Sequence, residues 1–263
     1  QSRIPLAYSS RHSTAQISTS SVVTSTVWCA KFTVADIRST TSYTKMKHIL
    51  DKQNSLVSVY LSQLRNVEVQ NDMMRFRRNI ERIGEIMAYE ISKTLDYAPQ
   101  SITTPLATTD VNLPTQTVVL GTILRAGLPL HQGLAHYFDS AENAFVSAYR
   151  KGLTESDFTI ALEYLASPSL EGKVLILADP MLATGASMVA VYNELIVRCG
   201  KPAHTHIVSV VGCPEGVKMV EENIDLDNDA TLWIATVDDF LNENKYIVPG
   251  LGDAGDLCFG EKL

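Results

Sequence analysis

The sequence predicts an α/β fold in which a mostly parallel central sheet is flanked by helices. Two observations lead to this prediction. From about residue 117 onward, short apolar runs alternate with segments of helical character, which is typical of a parallel sheet covered on both faces. The chain has 263 residues, of which 45% are apolar, and this is enough for one compact domain with a full-sized core.

The first predicted element is a long helix that begins near Asn71. Either Asn71 or Asp72 can cap its first turn, and Pro99 lies beyond its end. Apolar residues recur along it at spacings of three and four, which places them on one helix face: Phe76, Ile80, Ile83, Met87, Ile91 and Leu95.

The alternation of strands and helices follows a polar, proline-containing stretch at 97–115, to which we assign no element. Strands are predicted at 117–123, 143–149, 173–179, 205–211 and 230–236. Helices are predicted between them at 128–138, 186–198 and 214–222. A further strand at 159–165 is expected near an edge of the sheet.

Residues 1–45 differ in composition from the rest of the chain. They contain 18 Ser or Thr, five Lys or Arg, one acid (Asp36) and no Gly. A transit peptide, a disordered tail and sequence upstream of a start at Met46 all remain open, and the last two are favoured. The predicted folded domain is therefore 46–263.

The charge and hydropathy of the chain exclude several classes of partner. The net charge is −7, which disfavours binding to nucleic acid or to anionic lipid. No apolar run reaches the roughly 18 residues of a membrane span. We therefore expect a soluble, cytoplasmic protein in which any phosphate site is local.

One strand, loop and helix segment has the features of a phosphate site. The apolar strand 173–179 runs into the loop 180–187, after which helical patterning begins. The unpaired N–H groups at a helix start bind anions, and Gly185 would let the backbone approach the ligand closely. The hydroxyls of Thr184 and Ser187 can add donors.

Asp179 extends this prediction from an anion to a sugar phosphate. It lies at the carboxyl end of its strand, where open α/β sheets bind ligands, and its carboxylate could accept hydrogen bonds from ribose hydroxyls. From the loop alone, ordinary capping of the helix remains an alternative. The loop lacks the signatures of Walker and dinucleotide-binding loops.

The segment Asp179-Pro-Met-Leu-Ala-Thr-Gly-Ala-Ser187 resembles the phosphoribosyl diphosphate (PRPP) binding motif of type I phosphoribosyltransferases, in the form found in the uracil phosphoribosyltransferase family. The resemblance covers roughly 46–263. It includes four further blocks in the same order: Ile123-Leu-Arg-Ala-Gly-Leu128, Ala148-Tyr-Arg150, Pro214-Glu-Gly-Val217 and 242–256. The last block, which contains Tyr-Ile-Val-Pro-Gly-Leu-Gly-Asp-Ala-Gly-Asp, is the most specific.

The resemblance implies a type I phosphoribosyltransferase fold with a C-terminal hood that binds the base. It implies a pentosyltransferase that converts uracil and PRPP to UMP and diphosphate in pyrimidine salvage, with Arg125, Asp179 and Asp253 as catalytic residues. PRPP would be bound by two arginines, the motif and one acid of the tail: Arg125, Arg150, Asp179, Pro180, Met181, Leu182, Ala183, Thr184, Gly185, Ala186, Ser187 and Asp253.

The two arginines also have a physical reason to act together. Arg125 follows one predicted strand and Arg150 ends the next, so that both would lie at one edge of the sheet. Two guanidinium groups facing a diphosphate would make charge-assisted hydrogen bonds and favour its departure. A surface ion pair is the alternative for either arginine alone.

The C-terminal block predicts an irregular loop that is rich in exposed backbone amides, because glycines and prolines recur in it: Pro249, Gly250, Gly252 and Gly255. By resemblance, uracil is bound by Ile247, Gly252, Asp253 and Ala254, largely through their backbones. Mg²⁺ would come mainly with PRPP, with Asp253 as a candidate ligand. We interpret Asp238 and Asp239 as strand-end acids, of which Asp239 at most orders the loop.

The sequence leaves several questions open. Ala186 and Lys151 depart from the usual pattern of the family, and the departures could lower the rate. A UMP-sensing regulator, a weakened homologue and an enzyme for another base remain alternatives. The resemblance implies a homodimer or a larger homo-oligomer and leaves activation by GTP open. The sequence displays no residue that we assign as a general base.

Overall fold

The structure is a computed structural model that describes residues 47–154 and 157–262, without the side chains of 148–162. Segment 1–45 lies outside the described residues. The described strands are β1 (Lys47–Ile49), β2 (Tyr97–Thr103), β3 (Thr108–Pro114), β4 (Val118–Leu124), β5 (Glu142–Thr154), β6 (Asp157–Ala166), β7 (Val174–Ala178), β8 (Met181–Leu182), β9 (His204–Gly212), β10 (Ala230–Val237), β11 (Phe240–Leu241) and β12 (Ile247–Val248).

Six α-helices connect or follow these strands in the described part of the chain. They are α1 (Leu56–Arg65), α2 (Met73–Ser92), α3 (Leu128–Ala135), α4 (Ala186–Cys199), α5 (Pro214–Asn223) and α6 (Ala254–Phe259), and a short 3₁₀ turn lies at Leu50–Lys52. None of the helices described is long and apolar enough to cross a membrane.

The central sheet has eight strands in the order β1-β10-β9-β7-β4-β5-β6, with β8 paired to β9. Its pairs are parallel, except for the antiparallel pair of β5 and β6. The predicted α/β class is therefore confirmed, and the strand predicted at 159–165 is the edge strand β6. Because β4, β7 and β10 are parallel, their carboxyl ends lie at one edge of the sheet, where the candidate site is found.

Helix α2 buries the predicted apolar face against one side of the sheet. Asp72 caps it by accepting a hydrogen bond from the N–H of Arg75 at 3.1 Å. The helix ends at Ser92, so Leu95 lies beyond it, although Leu95 is still buried. Helices α4 and α5 cover the opposite side and pack on a second apolar cluster, so both faces of the sheet are buried, as the apolar strands require.

A β-hairpin and a helix in the first half of the described chain were not predicted. The stretch 97–115 forms the hairpin of β2 and β3, which is mostly exposed and therefore lacks the alternating apolar face by which strands are recognised. Helix α1 is capped by the Ser55 hydroxyl and buries Val57, Leu61 and Leu64, a short amphipathic pattern that the sequence analysis missed.

Candidate active site

A cavity of about 1110 Å³ opens at the carboxyl ends of β4 and β7. The C-terminal segment forms its other wall. The cavity brings together residues that the sequence analysis had assigned to PRPP or to uracil, from four separate parts of the chain: Arg125, Asp179, Met181, Ala183, Ile247, Gly252, Asp253 and Ala254. The other predicted PRPP residues of the motif, at 180, 182 and 184–187, do not line this cavity and form the bend beside it.

The bend has the geometry of an anion site at a helix start. Gly185 is the N-cap of α4 and has a φ of 76°, a left-handed conformation that favours glycine. Ala186 is already helical, so its methyl group is accommodated. The N–H of Ala186 donates to the Thr184 hydroxyl at 3.4 Å, whereas the N–H groups of Gly185 and Ser187 make no backbone hydrogen bond within the described residues.

Helix α5 supports this bend from behind. A Cβ atom added to Gly216 would lie 2.3 Å from the carbonyl oxygen of Leu182 and 2.5 Å from that of Ala183, so only glycine fits there. The Cys213 thiol donates to the Ala183 carbonyl at 2.9 Å, and burial raises the pKa of this thiol to about 11. The family-like block at 214–217 is therefore explained by close packing under the bend.

Asp179 follows β7 and faces the cavity. Its Oδ1 accepts a hydrogen bond from the N–H of Met181 at 3.2 Å. Burial nevertheless raises the pKa of this carboxyl group from 3.8 to about 7, because the single hydrogen bond only partly offsets the loss of water. The predicted ribose acceptor is thus poised to change its protonation state near neutral pH.

Arg125 lies directly after β4, and its guanidinium group is held by the C-terminal segment. Its Nη2 lies 3.0 Å from Oδ1 of Asp256, and its Nη1 donates to the carbonyl oxygen of Gly260 at 3.3 Å. Both charged side chains of the pair are about 40% exposed, at 40% and 39%. The sequence analysis placed Arg125 at the site and missed its partner Asp256.

The prediction that the C-terminal block is irregular up to residue 256 is wrong at its end, because α6 begins at Ala254. Asp253 caps this helix, and its Oδ1 accepts a hydrogen bond from the N–H of Asp256 at 2.9 Å. An aspartate followed three residues later by another acid is a recognisable helix start, and this signal was available in the sequence.

The tail before α6 is bent back on itself. Strands β11 and β12 pair antiparallel, Gly250 has a φ of 58°, and Gly252 has a φ of 91°. The N–H of Asp239 donates to the carbonyl oxygen of Val248 at 3.1 Å. Asp238 directly follows β10, as its interpretation as a strand-end acid predicted, and its carboxylate is in addition buried and hydrogen-bonded to this tail.

For Arg150 the structure describes the backbone alone. It pairs with Ile160 within the β5–β6 ladder, and β5 continues to Thr154, so the prediction that Arg150 ends its strand is wrong. The side chains of Arg150 and Lys151 lie outside the described part of the structure. Their predicted role beside the diphosphate stays a prediction.

Acidic side chains outnumber basic ones around the cavity, which disfavours the binding of an anion by itself. Its described lining contains five acids against three basic side chains. The acids are Glu163, Asp179, Asp253, Asp256 and Glu261, and the basic residues are Arg125, Lys245 and Lys262. A highly charged phosphate ligand would therefore bind best together with a cation.

Residues 51–261 match the protein family described as Uracil phosphoribosyltransferase. The chain belongs to the uracil phosphoribosyltransferase family. The resemblance drawn from the motifs is confirmed, and the cavity described above lies within the matched region.

Relatives named uracil phosphoribosyltransferase occur in bacteria and archaea. One from Porphyromonas gingivalis is 51% identical over 81% of this chain and 98% of its own. One from Methanococcus maripaludis is 39% identical over 76% of this chain and 84% of its own, and one from Pyrococcus furiosus is 36% identical over 77% and 85%. A solved structure from Aquifex aeolicus has a TM-score of 0.73 at 27% identity and covers 82% of this chain and 98% of its own.

Proposed function

We propose that the protein transfers ribose 5-phosphate from PRPP to uracil and so makes UMP and diphosphate in pyrimidine salvage. The observation that carries the proposal is the shared cavity. In it, Arg125 and Asp179, assigned to PRPP, face Gly252 and Ala254, assigned to uracil, in a chain that belongs to the uracil phosphoribosyltransferase family.

The PRPP half of the reaction uses the edge of the sheet. The 5-phosphate would bind the bend at 184–187, where free N–H groups and the start of α4 favour a negative charge. The ribose hydroxyls would donate to Asp179, and the diphosphate would lie against Arg125. Releasing Arg125 from Asp256 would let its guanidinium group bind the leaving diphosphate as negative charge develops there.

The base half uses the tail. Uracil offers two carbonyl acceptors and one imide N–H donor, and the backbone of Ile247, Gly252 and Ala254 can complement them without a charged side chain. The positive φ of Gly252 turns its peptide groups in a way that other residues rarely adopt. Backbone recognition of this kind would select uracil over bases with a different edge.

Magnesium fits the charges of this cavity. Its described lining has two more acids than bases, and the carboxylate of Asp253 uses only Oδ1 as a helix cap. Among the described residues, no group of three or more metal-binding side chains converges, so Mg²⁺ would be held mainly by PRPP oxygens, with Asp253 as a candidate protein ligand. When bound, the metal would neutralise charge on the diphosphate.

The chain itself would contribute positioning and electrostatic stabilisation rather than a general base. Uracil and C1 of the ribose must be held in line, and the leaving diphosphate must be stabilised by Arg125, together with Arg150 as predicted. The same proposal includes a cytoplasmic homodimer or larger homo-oligomer. Activation by GTP is tested by adding it to the assay below.

The proposal is tested by following UMP from uracil, PRPP and Mg²⁺ with the purified protein. UMP formation that stops with a chelator is the expected result, and Arg125→Met should lower kcat/KM for PRPP by roughly 100-fold or more. Turnover of hypoxanthine or orotate instead of uracil would assign another base. Tight UMP binding without turnover would assign a regulator.

A further inference from the structure

A partly buried ion pair joins the end of α1 to the end of β10, with the Arg65 side chain 24% exposed. Arg65, the last residue of α1, donates from Nη1 to Oδ2 of Asp238 at 2.9 Å and from Nη2 to Oδ1 at 2.6 Å. The Asp238 side chain is only 5% exposed. Two parallel hydrogen bonds between a guanidinium and a carboxylate fix the orientation of both groups as well as their distance.

The same pair holds one residue of the tail by both of its backbone groups. Oδ2 of Asp238 accepts from the N–H of Gly250 at 2.8 Å, and Nη1 of Arg65 donates to the carbonyl oxygen of Gly250 at 3.3 Å. Gly250 has a φ of 58°, and a Cβ added there would lie 2.1 Å from the Ile247 carbonyl oxygen. The turn therefore accepts only glycine at this position.

This turn connects the residues assigned to the base. Gly250 lies between Ile247 and Gly252, both of which line the cavity, whereas neither Arg65 nor Asp238 does. Gln70 adds a hydrogen bond from its side-chain amide to the Leu251 carbonyl at 3.2 Å. Any effect of Arg65 and Asp238 on the reaction would therefore act through the backbone of this turn.

The phosphate bend has separate supports. Its carbonyl groups at Leu182 and Ala183 pack on Cys213 and Gly216 of the α5 region. Among the described residues no hydrogen bond links these carbonyl groups directly to Asp238, whose backbone N–H donates to the Gly212 carbonyl. A change at the Arg65–Asp238 pair should therefore move the base wall of the cavity and leave the phosphate wall in place.

We propose that Arg65 and Asp238 are positioning residues that set the affinity for the base. The pair fixes the peptide groups of Gly250, and thereby the spacing of Ile247 and Gly252 around the uracil ring. This inference rests on the proposed function of the cavity. If one partner of the pair is removed, the charge of the other partner is left unpaired at a mostly buried site. The turn at Gly250 would then relax so that water can reach this charge.

The test compares Asp238→Asn and Arg65→Lys with the unchanged protein, varying uracil and PRPP separately. Asp238→Asn keeps the shape of the side chain but loses the charge, and Arg65→Lys keeps the charge but loses the fork. KM for uracil should rise roughly tenfold or more in both variants, while KM for PRPP should stay within about twofold, since a shift of about 1 Å in a positioning group has large effects.

The matched control is Asp229→Asn, which breaks the exposed ion pair of Lys201 and Asp229 at 2.9 Å. It should leave both KM values unchanged. The proposal is overturned if both KM values rise together in the Asp238 variant, as a general loss of structure would cause, or if neither moves.

Calorimetric titration distinguishes the proposed reaction from the proposed positioning role of Arg65 and Asp238. Binding of PRPP with Mg²⁺ should be equal in the unchanged protein and in Asp238→Asn, whereas UMP should bind the variant roughly tenfold more weakly. If the unchanged protein makes no UMP, the proposed reaction fails, and the UMP titration still decides the positioning role. Equal UMP affinities would refute that role. Thermal unfolding of each variant verifies that it is folded.

Discussion

The guanidinium group of Arg125 is bound to the carboxylate of Asp256 rather than left open to the cavity, with Nη2 and Oδ1 3.0 Å apart. The two residues are 131 positions apart in the chain. In the proposed reaction the diphosphate of PRPP binds the same guanidinium group, so Asp256 would compete with the substrate for it. The C-terminal helix α6 thus supplies the carboxylate that holds Arg125 in the free protein.

This competition predicts that Asp256→Asn binds PRPP more tightly. The variant removes one negative charge from the cavity and the ion pair that must be broken. An ion pair this exposed is worth about 0.2–1 kcal/mol, so the dissociation constant of PRPP should fall by about 1.4- to fivefold, as measured by calorimetry. Weaker binding would show instead that Asp256 is needed to orient Arg125.

The raised pKa of Asp179 predicts a pH-dependent affinity for PRPP. Burial brings this pKa to about 7 in the free protein, while ribose donors and a nearby cation would favour the ionised form. Binding should therefore strengthen as pH rises from about 5 to 7, by up to about tenfold per pH unit, and should release a proton in this window.

Calorimetry in buffers of different ionisation enthalpy measures that proton release. PRPP carries a phosphate that itself titrates near pH 6, with a pKa of about 6, so Asp179→Asn is the reference. The variant should bind more weakly and lose the part of the pH dependence that belongs to Asp179. If Asp179→Asn showed the same pH profile as the unchanged protein, the titrating group would be the phosphate of PRPP rather than Asp179.

The packing of α5 under the phosphate bend predicts a strong effect of Gly216→Ala. The added methyl group would collide with the carbonyl oxygens of Leu182 and Ala183, which belong to the backbone of the bend. Overpacking of this kind costs about 1–3 kcal/mol in the free energy of unfolding. PRPP affinity should fall roughly tenfold or more because the bend is displaced.

Lys218→Ala, on the exposed side of the same helix, is the matched control for that substitution. It should change neither the unfolding free energy nor the PRPP affinity measurably. An unaltered affinity in Gly216→Ala would mean that the bend adapts to the methyl group.

The buried His206 predicts a loss of stability in acid. Its Nδ1 accepts a hydrogen bond from the Trp233 indole at 3.1 Å, and burial, with neighbouring His204 and His48, lowers its pKa from 6.5 to about 3. The unfolded chain therefore binds more protons between about pH 3 and 6.5. The free energy of unfolding should fall as pH drops through this window, by up to about 1.4 kcal/mol per pH unit for this one group.

Denaturant unfolding of His206→Gln between pH 4 and 7 checks the assignment. Glutamine can still accept the indole N–H through its side-chain oxygen but does not titrate. The variant should show a shallower pH dependence than the unchanged protein, while parallel curves would assign the acid sensitivity to other groups.

Sequence patterns predicted the elements that have strong local signals. A strand that is buried on both faces, such as β7, has a continuous apolar run. Helix α2 is buried on one face, and its apolar residues therefore recur at spacings of three and four. The exposed hairpin of β2 and β3 has no such face and was missed for that reason. Helix α6 was missed because the glycines around it favoured a loop, although Asp253 and Asp256 carry a helix-start signal.

The sequence by itself determined the α/β class, the strand-to-helix bend at 179–187 and the family, because these depend on residues close together in the chain. The tertiary structure alone decided that Asp256 is paired with Arg125 and that Arg65, 173 positions before Asp238, hydrogen-bonds Gly250 together with it. It also decided that Asp179 lies where burial raises the pKa of its carboxyl group to about 7. Burial and the distance between charges depend on which distant segments meet, and no local pattern records that.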